Sequence, residues 1–102
     1  MRFTDEAQID LAEILAYTQE EWGSRRRIRY RQLLMESLRT LTSNPFIGRE
    51  REDLAPGLRS HPLDSYTVFY SVTDDEVRLW RVLHGSRSTA RIAWKDSGQT
   101  DS

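Results

Sequence analysis

Y66-T-V-F-Y-S-V-T-D-D-E-V-R-L-W-R-V-L-H-G85 is the stretch whose reading decides the fold. Residues 66–72 and 77–84 are rich in β-branched and aromatic side chains, and T73-D-D-E76 between them has the composition of a hairpin turn. Turn chemistry explains its carboxylates better than a cation site does. At period two, Tyr66, Val68, Tyr70 and Val72 share one face of the first strand, and Thr67, Phe69 and Ser71 share the other. On the second strand Val77, Leu79 and Leu83 point one way with Arg81, and Trp80 and Val82 point the other way with Arg78 and His84. Both faces are therefore partly apolar, whereas a small antiparallel sheet with one wet face shows clean polar alternation. Helices can cover only one of them. The second face is expected to receive a protein partner, because exposed apolar patches mark such sites. Its alternative cover is the C-terminal segment, through Ile92 and Trp94.

The residues before the hairpin supply those helices. Met1-Arg2-Phe3 reads as a short edge strand, Thr4 as an N-cap, and Asp5 and Glu6 as first-turn acids that suit the helix dipole. Ala7, Leu11, Ile14, Leu15, Thr18 and Trp22 fall on one helical arc, which Gly23 terminates. Ser24 is expected to cap a second helix with Tyr30, Leu34, Leu38 and Leu41 on its apolar arc, stopped by Ser43-Asn44-Pro45. The short connection predicts an αα-hairpin. Phe46-Ile47-Gly48 is expected to anchor a polar loop over residues 49–57, followed by a short strand over residues 58–63 in which Pro62 implies an edge position or an early end.

A chain of 102 residues suits one domain with one core. Residues 1–95 are assigned to that domain, and residues 96–102 to a polar C-terminal tail expected to be disordered. Without cysteine there are no disulfides or thiolate metal sites, and no long apolar run supports secretion or membrane spanning, so the expectation is a cytoplasmic protein. The net charge of −1 conceals a divided molecule: residues 1–21 carry −5, 22–59 +5, 60–76 −4, 77–95 +5 and 96–102 −2. Fourteen of the fifteen basic residues are arginine, which suits bidentate contacts with carboxylates or phosphates, although genomic base composition produces the same bias. Arg25, Arg26, Arg27, Arg29 and Arg31 spread around the second helix without forming a stripe, so direct nucleic-acid binding is not expected.

Seven ordered pieces carry a family resemblance. They are L11-A-E-I-L-A-Y-T-Q-E-E-W-G23, R29-Y-x-x-L-L-x-x-x-x-x-x-L41, N44-P-F-I-G48, G57-L-R-S-H-P62, V68-F-Y70, T73-D-D75 and R81-V-L-H-G-S-R87. Over about residues 5–91 the chain resembles the ParE branch of the ParE/RelE toxin superfamily. The resemblance implies an α+β fold: an N-terminal strand, then an α-helical hairpin packed on one face of a small twisted antiparallel sheet. It further implies the toxin of a type II toxin–antitoxin pair, which inhibits DNA gyrase without being an enzyme and is neutralised by a ParD-like antitoxin. An antitoxin that orders on binding offsets the ordering cost through a large contact area.

The RelE branch, ribosome-dependent mRNA endoribonucleases, is the rival reading, and a degenerate non-toxic binding module is a third. Such a nuclease needs cations at the reacting phosphate and a proton-transfer group nearby. Arg59, His61, His84 and Arg87 are the candidates for those roles. Two departures break the pattern: Thr67 stands where the tyrosine-arginine-x-x-tyrosine motif has arginine, and no tyrosine follows Tyr70. No catalytic residue is therefore expected. The expected partner-binding set is Phe69, Trp80, Val82, Arg78, Arg81, His84, Arg87 and Arg91. The run of like charge from Arg78 through Lys95 would speed encounter with an acidic partner, with exposed-edge solubility as the structural alternative. His84-Gly85 is expected to do structural work at the strand end. No cofactor is expected, and two histidines without a ligand set are poor evidence for metal.

Overall fold

The computed structural model describes residues 1–74, 76–87, 89, 92 and 94. The polar tail at 96–102 and the candidate Arg91 lie outside them. The hairpin forms as expected: β4 (Tyr66–Thr73) pairs antiparallel with β5 (Glu76–His84). Asp74 takes the left-handed turn conformation at φ 52°, which Asp tolerates better than most residues.

A β-bulge interrupts the ladder. Phe69 pairs with Arg81 and Tyr70 with Leu79, so Trp80 is an extra residue on β5 with no partner opposite. The bulge reverses the side-chain phase of β5. Val77 and Leu79 before it and Val82 after it all enter the helix-side core, with Val68 and Tyr70 from β4. Leu83 joins Leu58 and Phe69 in a second cluster on the opposite face. Strict alternation had put Val82 beside Trp80 and Leu83 under the helices. Both assignments are corrected, because an inserted residue shifts a period-two pattern by one.

The helices are α1 (Asp5–Trp22) and α2 (Ser24–Ser43), with Gly23 alone between them. Thr4 caps α1, accepting a hydrogen bond from the Ala7 N–H at 3.0 Å. Its hydroxyl also donates to the Trp80 carbonyl at 2.8 Å, and its N–H donates to the Leu79 carbonyl at 3.0 Å. The start of α1 is thereby fastened to the bulge. At the other end Gly23, at φ 90°, stops α1 and also occupies the cap position of α2, where Ser24 was expected; no side chain caps α2. Ala7, Ile14 and Leu15 of α1 pack with Leu34, Leu38 and Leu41 of α2 over the sheet. Trp22 departs from the expected arc: it is 63% exposed.

The sheet has five strands in the order β1-β5-β4-β3-β2, where β1 is Arg2–Phe3, β2 Arg49–Glu50 and β3 Arg59–Leu63. It is mixed, not wholly antiparallel, because β1 runs parallel to β5. Beyond the two residues of β1, the edge of β5 is closed by a side chain. Asp10 accepts from the Val82 N–H at 3.0 Å and takes both arms of Arg81, at 2.7 and 3.0 Å. A buried carboxylate thus occupies the place of a neighbouring strand, a device that blunts an exposed edge. On the far side β2 forms inside what reads as a loop, and Pro62 lies beyond its reach, in the part of β3 bonded only to β4.

Tyr70 anchors the loop after α2. Fully buried, it accepts from the Gly48 N–H at 2.8 Å and donates to the Pro45 carbonyl at 2.8 Å. A Cβ at Gly48 would stand 2.5 Å from the Tyr70 Oη and 2.9 Å from the Ser60 carbonyl oxygen, so only glycine fits. Gly48 is the anchor. Phe46 and Ile47, expected to share that role, are 64% and 49% exposed. Among the described residues no helix is long and apolar enough to cross a membrane.

Two substitutions test these fastenings by urea unfolding. Asp10→Ala strands the Arg81 charge and the Val82 N–H, and is expected to destabilise by about 3–5 kcal/mol. A change below about 1 kcal/mol would show that Asp10 does not close the edge. Tyr70→Phe leaves the buried Gly48 N–H and the part-buried Pro45 carbonyl without this partner and is expected to lose about 1–3 kcal/mol; unaltered stability would refute the anchor.

Candidate partner-binding surfaces

The second face of the sheet is built around Phe69, which is only 3% exposed. Trp94 lies over its ring at 5.0 Å between centroids, and the Arg51 guanidinium approaches it at 5.9 Å. Ile92 packs into the same cluster. Of the two covers weighed for this face, the C-terminal segment therefore occupies the Phe69 end. Trp80 remains half-buried beside it, donating its indole N–H to the Ser71 hydroxyl at 2.8 Å, with Arg78 over its ring at 6.0 Å. A groove of about 370 Å³ runs between Trp80 and Trp94 on one side and Pro56, Gly57 and Leu58 on the other. Arginine flanks the face at three points: Arg51, Arg78 and Arg87. Arg51 is held by Asp53 through two hydrogen bonds of 3.1 and 3.0 Å, and the bonding raises its pKa above the usual arginine value.

The bulge separates the other expected contact residues. Val82 is buried under the helices. Arg81, expected to face a partner, engages Asp10, whose hydrogen bonds hold the guanidinium above its usual pKa. His84 is exposed at the end of β5, where Nδ1 meets the Ser86 hydroxyl at 2.8 Å and the ring stands edge-on to Tyr66 at 5.7 Å. That is the structural role expected of it. Arg87, three residues past the end of β5, lines a small pocket with His84, Arg51, Thr67, Phe69 and Thr89.

The residues considered for nuclease chemistry converge only in part: His84 and Arg87 line one small pocket together with Arg51, whereas Arg59 and His61 lie on β3, two strands away. Arg59 donates to the Gly48 carbonyl at 2.7 Å and lies over the Phe46 ring at 5.0 Å. His61 stands opposite Val68, two strands and two residues from His84, or about 12 Å at ordinary strand spacings. No three of His, Asp and Glu among the described residues gather where they could hold a metal ion.

A further groove was not expected from the sequence. It has a volume of about 530 Å³ and lies between the tip of the helical hairpin and the β3–β4 turn, lined by Tyr17, Trp22, Arg26, Tyr30, Tyr66 and His84. Tyr30 donates to the Asp64 carboxylate at 2.8 Å, and burial together with that bond pushes its hydroxyl well above the usual tyrosine range. Tyr17 and Trp22 are 57% and 63% exposed. An apolar arc drawn through Trp22 hides this, since it places the indole in the core. Tyr17, lying off that arc, was the available signal.

Comparison with known proteins agrees with this architecture. The family described as "ParE toxin of type II toxin-antitoxin system, parDE" matches residues 1–89. The chain is 35% identical over 79 residues to Toxin ParE1 of Mycobacterium tuberculosis (strain CDC 1551 / Oshkosh), covering 76% of this chain and 81% of that one. It is 32% identical over 85 residues to Toxin ParE1 of Caulobacter vibrioides, covering 83% and 88%. In fold it is similar to a solved chain of the chromosomal ParDE TA system from P. aeruginosa, with a TM-score of 0.69, 23% identity, and 81% of this chain and 91% of that one covered. With the family matched over residues 1–89 and the helical hairpin on a mixed sheet in place, this chain belongs to the ParE toxins of type II toxin–antitoxin systems.

Proposed function

We propose that this toxin inhibits DNA gyrase in the cytoplasm, blocks replication without being an enzyme, and is silenced by a ParD-like antitoxin. The observation that carries the reading is the ParE family match across residues 1–89. Against ribosome-dependent mRNA cleavage stand Thr67, in place of the motif arginine, and the position of Arg59 and His61 two strands from the pocket that His84 and Arg87 share, because a phosphate-cleaving site must bring its cations and its proton-transfer group to one atom. In this reading one domain over residues 1–95 carries both activities, target inhibition and antitoxin binding.

The antitoxin covers the second face around Trp80. Arg78 and Arg87 border that face, so a negatively charged partner is attracted before contact and held by apolar burial afterwards. Phe69 lies beneath Trp94 and contributes as floor. Arg91 belongs to the same basic run, while Arg81 and Val82 act indirectly by holding the bulge that presents Trp80.

Two measurements test this. Purified chain added to gyrase is expected to suppress DNA supercoiling, and stoichiometric antitoxin to restore it. Unimpaired supercoiling together with cleaved mRNA in a translating extract would transfer the case to the nuclease reading. Trp80→Asp places a carboxylate in an apolar cluster and removes the bond to Ser71, so antitoxin affinity or folding stability is expected to fall by several kcal/mol. An unchanged affinity and melting curve would show that this side is not buried.

A further inference from the structure

We propose that the groove between the hairpin tip and the β3–β4 turn is a second docking slot for the antitoxin, taking an acidic segment that inserts one aromatic or branched aliphatic side chain. The inference rests on the toxin–antitoxin reading above but uses a different surface. Trp80 and Phe69 belong to the second-face cluster, whereas this groove is formed by the helices and the helix-side residue Tyr66.

Three observations converge on it. The first is composition. Trp, Tyr and Arg are the residues that dominate binding energy at protein interfaces, and this groove is lined by Trp22, Tyr17, Tyr30, Tyr66 and Arg26. Tyr17 and Trp22 are more than half exposed, so their apolar area is still in water and remains to be buried.

The second is preorganisation. Tyr66 is held between Tyr30, at 6.5 Å, and His84, at 5.7 Å. Tyr30 is fixed by Asp64, and the Arg26 guanidinium rests on the Trp22 ring at 5.2 Å. Rings already placed lose little freedom on binding, which lowers the cost of filling the slot.

The third is charge. The first two turns of α2 present Arg25, Arg26, Arg27, Arg29 and Arg31, with no acid in the first turn and no side-chain cap. Cations at this end oppose the helix dipole, and free N–H groups there add to the positive field. A partner carboxylate relieves both. The opposite wall, at the β3–β4 turn, carries Asp64 in the lining. A peptide can direct its carboxylates to the α2 side alone. A nucleic acid, with a phosphate at every residue, would meet the acidic wall as well, so the peptide is favoured.

The test is calorimetric titration of the purified ParD-like product of the adjacent reading frame into the full chain and three variants, Trp22→Ala, Tyr17→Ala and Arg26→Glu. All three sites are exposed, so melting temperatures should stay near the wild-type value while affinity falls about tenfold or more. The loss in Arg26→Glu should shrink as salt is raised. Tight wild-type binding with all three variants unchanged overturns the slot and leaves the toxin–antitoxin reading intact. No binding by the wild-type chain overturns both. A fluorescein-labelled dT20 oligonucleotide provides the remaining arm: binding that Trp22→Ala abolishes, with antitoxin affinity unaffected, assigns the groove to nucleic acid and overturns the proposal.

Discussion

The bulge at Trp80 and the side chains that close it govern the arrangement of everything else. An extra residue on β5 leaves the Trp80 carbonyl and the Val82 N–H facing the strand edge without a regular ladder partner. Thr4 supplies a hydroxyl to the first and Asp10 a carboxylate to the second. Both lie at the start of α1, six residues apart, so satisfying β5 fixes the position and rotation of that helix. Buried backbone groups demand partners, and these ones obtain them from a helix cap and an ion pair. Once α1 is fixed, the single residue at Gly23 leaves α2 little choice but to return antiparallel alongside it.

The same bulge explains why both sides of one small sheet carry apolar clusters. The alternation between faces shifts by one residue beyond it, so Val82 joins Val77 and Leu79 in the helix-side core while Leu83 supports Phe69 and the Trp80 side. The second face is consequently firm enough to hold Trp94 and to present Trp80 beside a groove. Arginines border it, yet those nearest the core are not equivalent. Arg81 is neutralised by Asp10 and Arg51 by Asp53, whereas Arg87, beyond the end of β5, lines a small pocket. A positive run in the sequence therefore resolves into structural cations and peripheral ones, and only the latter suit steering of a partner.

Much of the architecture was legible in the residues. Periodicity located both helices and the hairpin, Thr4 and Gly23 marked the ends of α1, and the turn at Asp74 followed from its composition. The break in the nuclease pattern at Thr67 was readable too. These features depend on neighbours within a few positions, where local sterics and hydrogen bonding dominate. The faces of β5 after Trp80, the pairing of Arg81 with Asp10 and the exposure of Trp22 were not legible. Each depends on contacts across distant sequence, 71 residues in the case of Arg81 and Asp10.

The sequence by itself determined the element types and their order, the glycine at the hairpin tip and the family to which the chain belongs, because all of these are written in local pattern. The tertiary structure decided which side of the sheet each β5 residue meets, which arginines are already paired, and that three tyrosines, a tryptophan and a histidine enclose one groove. The reason is the inserted residue: a bulge leaves composition and spacing intact but reverses the phase of every side chain beyond it, and only pairing with β4 reveals where it lies.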